Sequence, residues 1–248
     1  MASEKGLNEL LKWSIENSAE TDPSAPEPTA PRSTLSAEAL AAIMGAPSDA
    51  ELMRASVEHI TSSDPEITLE SKLIAFDNLE QLVESLDNAN LLSKLGLWTP
   101  LLELLAHEED QLRLMAAWCV GTAVQNNAPS QERLVALGGV ERLVTMALGD
   151  RLPVEKRTGA GEEEETTTTT TTKPEESAAA ADQGETKDVR RKAVYALSSA
   201  VRNYQPALDV AAKELRKRGE EVQEGIDAAD MDAVDGLING LKQRALNA

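Results

Sequence analysis

Aromatic side chains are almost missing from this 248-residue chain, which has three Trp, two Tyr and one Phe. Its apolar residues are mostly Ala, Leu, Val and Met. That supply suits closely packed helices better than half-buried strands. Cysteine occurs once, as Cys119, so no internal disulfide can form. Within the apolar stretch from Ala116 to Val124 its thiol is expected to pack as a small hydrophobe. Basic residues are also in short supply, 24 Lys and Arg against 43 Asp and Glu. The resulting formal charge of −19 repels phosphate backbones and anionic lipid head groups. Neither nucleic acid nor a membrane is therefore expected as a partner. No apolar run approaches the roughly 20 residues that span a bilayer. Residues Met1 to Lys5 lack a basic region leading into an apolar one, and Arg244 to Ala248 is no retention signal, so the expected location is cytoplasmic.

Chemistry-bearing constellations are equally sparse. The two histidines, His59 and His107, lie far apart without a Cys or carboxylate cluster at metal-ligand spacing. The run His107-Glu108-Glu109-Asp110-Gln111 starts like a zinc-protease helix, but Gln111 stands where the second His ligand is needed. A turn between helices is the better reading. Asp227, Asp230 and Asp232 lack the Gly and terminal Glu of a calcium loop and suit a helix N-terminus instead. No Gly-rich loop precedes a Lys-Ser or Lys-Thr pair. The expectation is a binding protein with no catalytic residues, no metal and no cofactor.

The chain has two interruptions. Leu7, Leu10, Leu11 and Ile15 fall at helical spacing, so residues 1–18 form an N-terminal amphipathic segment, too short to be stable alone. Pro23, Pro26, Pro28 and Pro31 make residues 19–33 a disordered linker. Helix resumes near Leu35 to Met44, and Ser48-x-x-Glu51 is a capping box opening a helix through Ile60. Residues 34–152 are the first part of one domain. From 153 to 187 the chain runs through four consecutive glutamates (Glu162 to Glu165), seven consecutive threonines (Thr166 to Thr172) and an Ala-rich tract, which cannot bury a core and are expected to form a disordered insertion. Residues 188–248 complete the domain, with Met231 to Leu246 as a terminal helix. Ala211 to Glu224 is open between a weakly packed helix and a solvated linker.

Masking the insertion exposes an internal repeat. Residues 112–129 align without gaps on 189–206, an offset of 77, and removing about 35 residues of insertion leaves about 42. Leu95-Gly96-Leu97-Trp98-Thr99-Pro100 matches 137–142 at an offset of 42. This is the period of armadillo and HEAT repeats. Each unit carries a helical stripe too wide to hide alone, as in Leu112, Ala116, Cys119 and Ala123. Small residues such as Ala116, Gly121 and Ser198 let neighbouring helices approach. The predicted fold is all-α, an armadillo-like right-handed superhelix of about three repeats with flanking capping helices.

Such repeats present one continuous face to a partner. Polar residues that the stripes do not need are Asp87, Asn88 and Asn90 around Ala89, then Asn126 and Asn127, then Arg202, Asn203 and Tyr204. The last two groups hold equivalent repeat positions. Helix capping explains the asparagines equally well. Trp98 is either a core anchor or an interface aromatic. These ten are the candidate partner-binding residues. Asn88→Ala combined with Ala89→Arg is expected to abolish binding while leaving helicity unchanged.

Several motifs, namely Leu10-Leu11-Lys12-Trp13-Ser14-Ile15-Glu16-Asn17-Ser18, Ala75-Phe76-Asp77-Asn78-Leu79-Glu80, Leu86-Asp87-Asn88-Ala89-Asn90, Gly121-Thr122-Ala123-Val124-Gln125-Asn126-Asn127 and Lys192-Ala193-Val194-Tyr195-Ala196, resemble the Fes-type fungal nucleotide exchange factors. Their animal counterparts are the heat-shock-protein-binding armadillo proteins. The resemblance runs from about residue 7 to residue 209 and omits the insertion. It implies a concave face that embraces one lobe of the ATPase domain of a cytosolic seventy-kilodalton heat-shock chaperone and opens it so that ADP leaves. It also implies a monomer whose N-terminal segment helps clients depart. The chain departs from the family pattern in its insertion and in ending soon after the third repeat. A generic armadillo adaptor for another protein or peptide is the alternative.

Overall fold

The computed structural model describes residues 45, 47–153 and 184–247. The expected N-terminal segment, the Pro-rich linker, the helix near 35–44 and the body of the insertion lie outside them. The chain divides into two units, Met1–Leu52 and Met53–Ala248. In the first, Ser48 and Glu51 form the expected capping box: Glu51 Oε2 accepts from Ser48 N at 2.8 Å and from Ser48 Oγ at 2.9 Å, while Glu51 N donates to Ser48 Oγ at 3.3 Å.

The described residues form ten α-helices. These are α1 (Asp49–Thr61), α2 (Leu69–Val83), α3 (Leu86–Lys94), α4 (Trp98–Glu103), α5 (Asp110–Val124), α6 (Ala128–Ala136), α7 (Gly139–Leu148), α8 (Lys187–Val201), α9 (Gln205–Lys217) and α10 (Met231–Asn247). A 3₁₀ turn, Leu104–Ala106, extends α4. The architecture is all-α and armadillo-like, as expected. Three helices of fifteen residues, α2, α5 and α8, the long helices of the repeat, each open a unit; shorter helices follow α2 and α5, and α8 is followed by α9 of thirteen residues and α10 of seventeen. Their starts at 69, 110 and 187 give the repeat its period. α5 packs against α2 on one side and more extensively against α8 on the other.

The core lies between the long helices and the shorter ones behind them. Phe76, Leu79, Leu105, Leu112, Cys119, Leu134, Leu143 and Leu197 are fully buried. Each large apolar side chain so hidden contributes about 1.5–3 kcal/mol. Close approach is required at Gly121, where a Cβ would lie 2.6 Å from Tyr195 Cε1 and 3.0 Å from Ala196 Cα. Gly96 and Gly138, matched in the sequence repeat, both turn the chain in the left-handed region, at φ 71° and 68°. Pro129 and Pro206 sit in the first turns of α6 and α9, where a missing N–H costs no hydrogen bond.

A basic residue stands fourth in every long helix and reaches back to the end of the preceding helix. Lys72 Nζ donates to Ser62 O at 2.6 Å. Arg113 Nη1 donates to His107 O and Glu108 O at 2.7 and 2.8 Å, and Arg190 Nε to Ala147 O at 3.4 Å. Each cation thereby covers carbonyls at the negative end of a helix. Arg113 also binds Glu185, with Nε 2.9 Å from Oε1 and Nη2 2.8 Å from Oε2.

The boundary expected at residue 187 falls inside folded structure. Glu185 is buried, its N–H donates to Gly149 O at 2.7 Å, and α8 starts at Lys187. Likewise Ala211 to Lys217 belong to α9 and bury Ala211, Ala212 and Leu215. Only the residues after Arg218 form a loop. The terminal helix α10 runs antiparallel to α8. Arg202, at the C-terminal end of α8, pairs with Asp235 near the start of α10, while Lys187 at the N-terminal end of α8 donates to Leu246 O. Asp230 Oδ1 caps α10, accepting from Asp232 N and Ala233 N at 3.1 Å, and Asp227 accepts from Ala229 N at 2.8 Å.

Candidate partner-binding face

The second, fifth, sixth and ninth positions of each long helix are exposed or half-buried, save Met115, which is buried. In α2 these are Glu70, Leu73, Ile74 and Asp77; in α5, Gln111, Leu114, Met115 and Trp118; in α8, Asp188, Arg191, Lys192 and Tyr195. The helices run parallel in one register, so these positions form adjacent rows. A cleft of about 360 Å³ lies between α2 and α5, with Ile74 on its wall at 58% exposure. A second, of about 440 Å³, is lined by Leu114, α8 and the last turns of α10.

Lys192 and Tyr195, on the wall of the second cleft, form a cation–aromatic stack with Trp118. Lys192 Nζ sits 3.2 Å from the Trp118 ring centroid and 5.7 Å from that of Tyr195. The Tyr195 hydroxyl is 3.4 Å from Gln125 Oε1, tying α8 to the end of α5. Such a stack contributes about 0.5–1 kcal/mol at a partly exposed site. Partial burial lowers the Lys192 pKa, and the Glu80 carboxylate opposes that shift. Glu80 is buried and accepts from the Thr122 hydroxyl at 2.7 Å, a bond between equivalent turns of adjacent long helices.

The ten residues singled out in the sequence divide between surface and interior. Asp87, Asn126 and Asn203 are exposed, and Asn90, Arg202 and Tyr204 half-buried. Asn126 and Asn203 take the same left-handed conformation, φ 52° and 55°, in equivalent turns after α5 and α8. Asparagine tolerates that region better than most side chains. Arg202 is engaged by Ser198 and Asp235, and Tyr204 sits at the N-cap of α9. Asn88, Ala89, Trp98 and Asn127 are buried. Asn88 Nδ2 donates to Leu82 O at 3.0 Å and closes the turn from α2 to α3. Ala89 is 1% exposed, so an arginine there must displace neighbours of α3 to reach water. The expectation that Asn88→Ala with Ala89→Arg spares the fold is therefore corrected: the pair perturbs packing as well as surface.

Sequence reasoning passed over Trp118, Lys192, Tyr195 and Ile74. The available signal was positional: Asp77, Trp118 and Tyr195 share the ninth place of their long helices. Gln131 was also missed. It is buried and donates to Ser199 O, Ala200 O and Arg202 O at 3.0 to 3.1 Å, fastening α6 to the end of α8.

Among the described residues no group of three His, Cys, Asp or Glu side chains is placed to hold a metal ion. Cys119 is fully buried, its thiol pKa pushed well up by that burial. His107 follows the 3₁₀ turn and precedes α5, as a residue between helices. No helix among the described residues is long and apolar enough to cross a membrane.

A family model described as nucleotide exchange factor Fes1 matches residues 7–92. The chain is 52% identical over 241 residues to a Gibberella zeae protein named Hsp70 nucleotide exchange factor FES1, covering 96% of each chain. It is 46% identical over 278 residues to Hsp70 nucleotide exchange factor fes-1 of Neurospora crassa, covering 99% of this chain and all of the relative. To the Saccharomyces cerevisiae protein of the same name the identity is 34% over 215 residues, covering 86% of this chain and 60% of the yeast one.

Proposed function

The chain belongs to the Fes1 family of Hsp70 nucleotide exchange factors, and on that premise we propose that its long-helix face binds the ATPase domain of a cytosolic Hsp70 and speeds ADP release. The observation that carries this reading is the register of the open positions on α2, α5 and α8. It gives three repeats one shared, partly apolar surface, with Ile74 and the Trp118–Lys192–Tyr195 stack outside the core. A partner lobe spanning several repeats can be held rigidly by such a surface, and exchange requires that kind of hold.

The mechanism is one of linkage. The factor binds the opened, nucleotide-free chaperone more tightly than the ADP-bound form, and ADP must weaken the factor by the same ratio. A coupling of about 1–3 kcal/mol, about 5- to 150-fold, is ordinary for such a system. The chain need bind no nucleotide and break no bond, so we read it as a non-catalytic monomer that takes neither nucleic acid nor membrane as partner. Of the ten residues chosen from sequence, Asp87, Asn90, Asn126, Arg202, Asn203 and Tyr204 are proposed as the edge of the interface. Asn88, Ala89, Trp98 and Asn127 support it from within.

Stopped-flow release of a fluorescent ADP analogue from purified Hsp70 tests the reading. Acceleration that saturates with factor concentration is the expected result. A folded, helical protein without effect would leave a repeat-built adaptor for another partner.

A further inference from the structure

We propose that the cleft between α8 and α10 receives an acidic element of the chaperone tipped by an apolar side chain. The inference rests on the reading that the long-helix face binds Hsp70, and it specifies the chemistry and direction of that contact. The floor of the cleft is apolar: Leu114 from α5, Tyr195 from α8 and Leu246 from α10. Among the described residues its rim carries Arg191, Lys192 and Lys242 against one carboxylate, Asp188, which already lies 3.6 Å from Arg191. On a chain of formal charge −19, this is a local reversal of sign. A basic partner element would be drawn to much of the surface. An acidic one is repelled by the net charge of the chain and attracted here, so charge complementarity favours this position on the long-helix face.

The antiparallel course of α10 builds the site. Its anchors at Arg202–Asp235 and Lys187–Leu246 O lay its last turns beside the first half of α8, bringing Lys242 and Leu246 to the cleft. At the other end of the face, the cleft between α2 and α5 has Glu70 and Asp77 on its walls and, among the described residues, no cation. The open positions are thus graded from acidic at α2 to basic at α8 and α10. A partner with the opposite gradient can lie across the repeats in only one direction.

The test is the affinity of the full chain for the nucleotide-free Hsp70 ATPase domain, measured by fluorescence anisotropy at several salt concentrations. Arg191→Glu with Lys242→Glu is expected to weaken binding about tenfold, mainly through slower association, and to flatten its salt dependence. Leu246→Ser is expected to weaken binding with the salt dependence unchanged. Arg133→Glu with Lys213→Glu makes the same change in net charge on exposed positions of α6 and α9 and is expected to leave binding within about twofold. Equal weakening by the two charge pairs would overturn the cleft assignment in favour of a net-charge effect. So would exchange and affinity unaltered by Arg191→Glu with Lys242→Glu. Failure of the unmodified chain to bind Hsp70 or accelerate ADP release would overturn the functional reading, and the cleft assignment with it.

Discussion

Arg113 is 1% exposed, a position arginine rarely occupies without full compensation. Here compensation comes from Glu185, Asp110 and two backbone carbonyls. The pair attracts strongly because it is dry, yet both charges were desolvated to make it, so its net stabilisation is smaller than its strength. Removing one partner is another matter. Arg113→Met should cost about 3–5 kcal/mol in urea denaturation because the Glu185 carboxylate is left buried and unpaired. Adding Glu185→Leu should recover a large part of the loss. His107 gives a pH counterpart. Burial, with help from Lys72, lowers its pKa below 6.5, and Nδ1 accepts from Glu109 N at 3.0 Å, as a neutral ring must. The unfolded chain therefore takes up the proton first as pH falls through 6.5, so stability is present above that pH and declines below it. Urea midpoints measured on both sides of pH 6.5 should show this fall, and His107→Gln should reduce it.

At the level of elements, the contact between α5 and α8 depends on the absence of a side chain at Gly121. A methyl group there meets the Tyr195 ring, which can turn, and the Ala196 backbone, which cannot. Gly121→Ala is predicted to destabilise the protein by about 1–3 kcal/mol despite its better helix propensity, read as a lowered urea midpoint. An unchanged midpoint would mean that the two helices slide apart without cost. Close approach was legible from the sequence because the 77-residue offset set Gly121 beside Ser198 in a run of small residues. The long helices, their period and the capping of α10 were legible for the same reason: periodicity and caps are local signals. The antiparallel course of α10 was not, since the contacts that orient it, the buried Val234, Ile238, Leu241 and Ala245 together with Arg202–Asp235 and Lys187–Leu246 O, span more than thirty residues. The candidate face was only half legible. Polar residues that looked dispensable to the core, such as Asn88 and Asn127, are spent on closing turns. Trp118 and Tyr195 stand partly outside the core, and their exposure could not be read from the sequence, because burial of an aromatic depends on the neighbouring helix and not on its own stripe.

For the whole molecule, the interruption after Pro153 is the largest departure from a regular repeat, and its two ends are tied together. Gly149 O accepts from Glu185 N, Arg218 binds both Asp150 and Thr145, and Arg151 donates to Glu108 O at 2.8 Å. With Arg113 gripping Glu185, the strand of chain entering the insertion and the strand leaving it are each fixed to α5, α7 or α9. The thirty residues from 154 to 183 are therefore not needed to hold the last repeat in place. Each halving of a flexible closed loop favours the folded state by about 0.6 kcal/mol. Replacing the segment by about eight Gly and Ser residues should thus raise stability by about 1 kcal/mol and leave ADP release from Hsp70 unaltered. A loss of folding would show that the tied ends do not suffice. A folded variant with slower exchange would instead assign part of the chaperone contact to the inserted residues, adding an acidic arm to a face whose basic end then has two claimants.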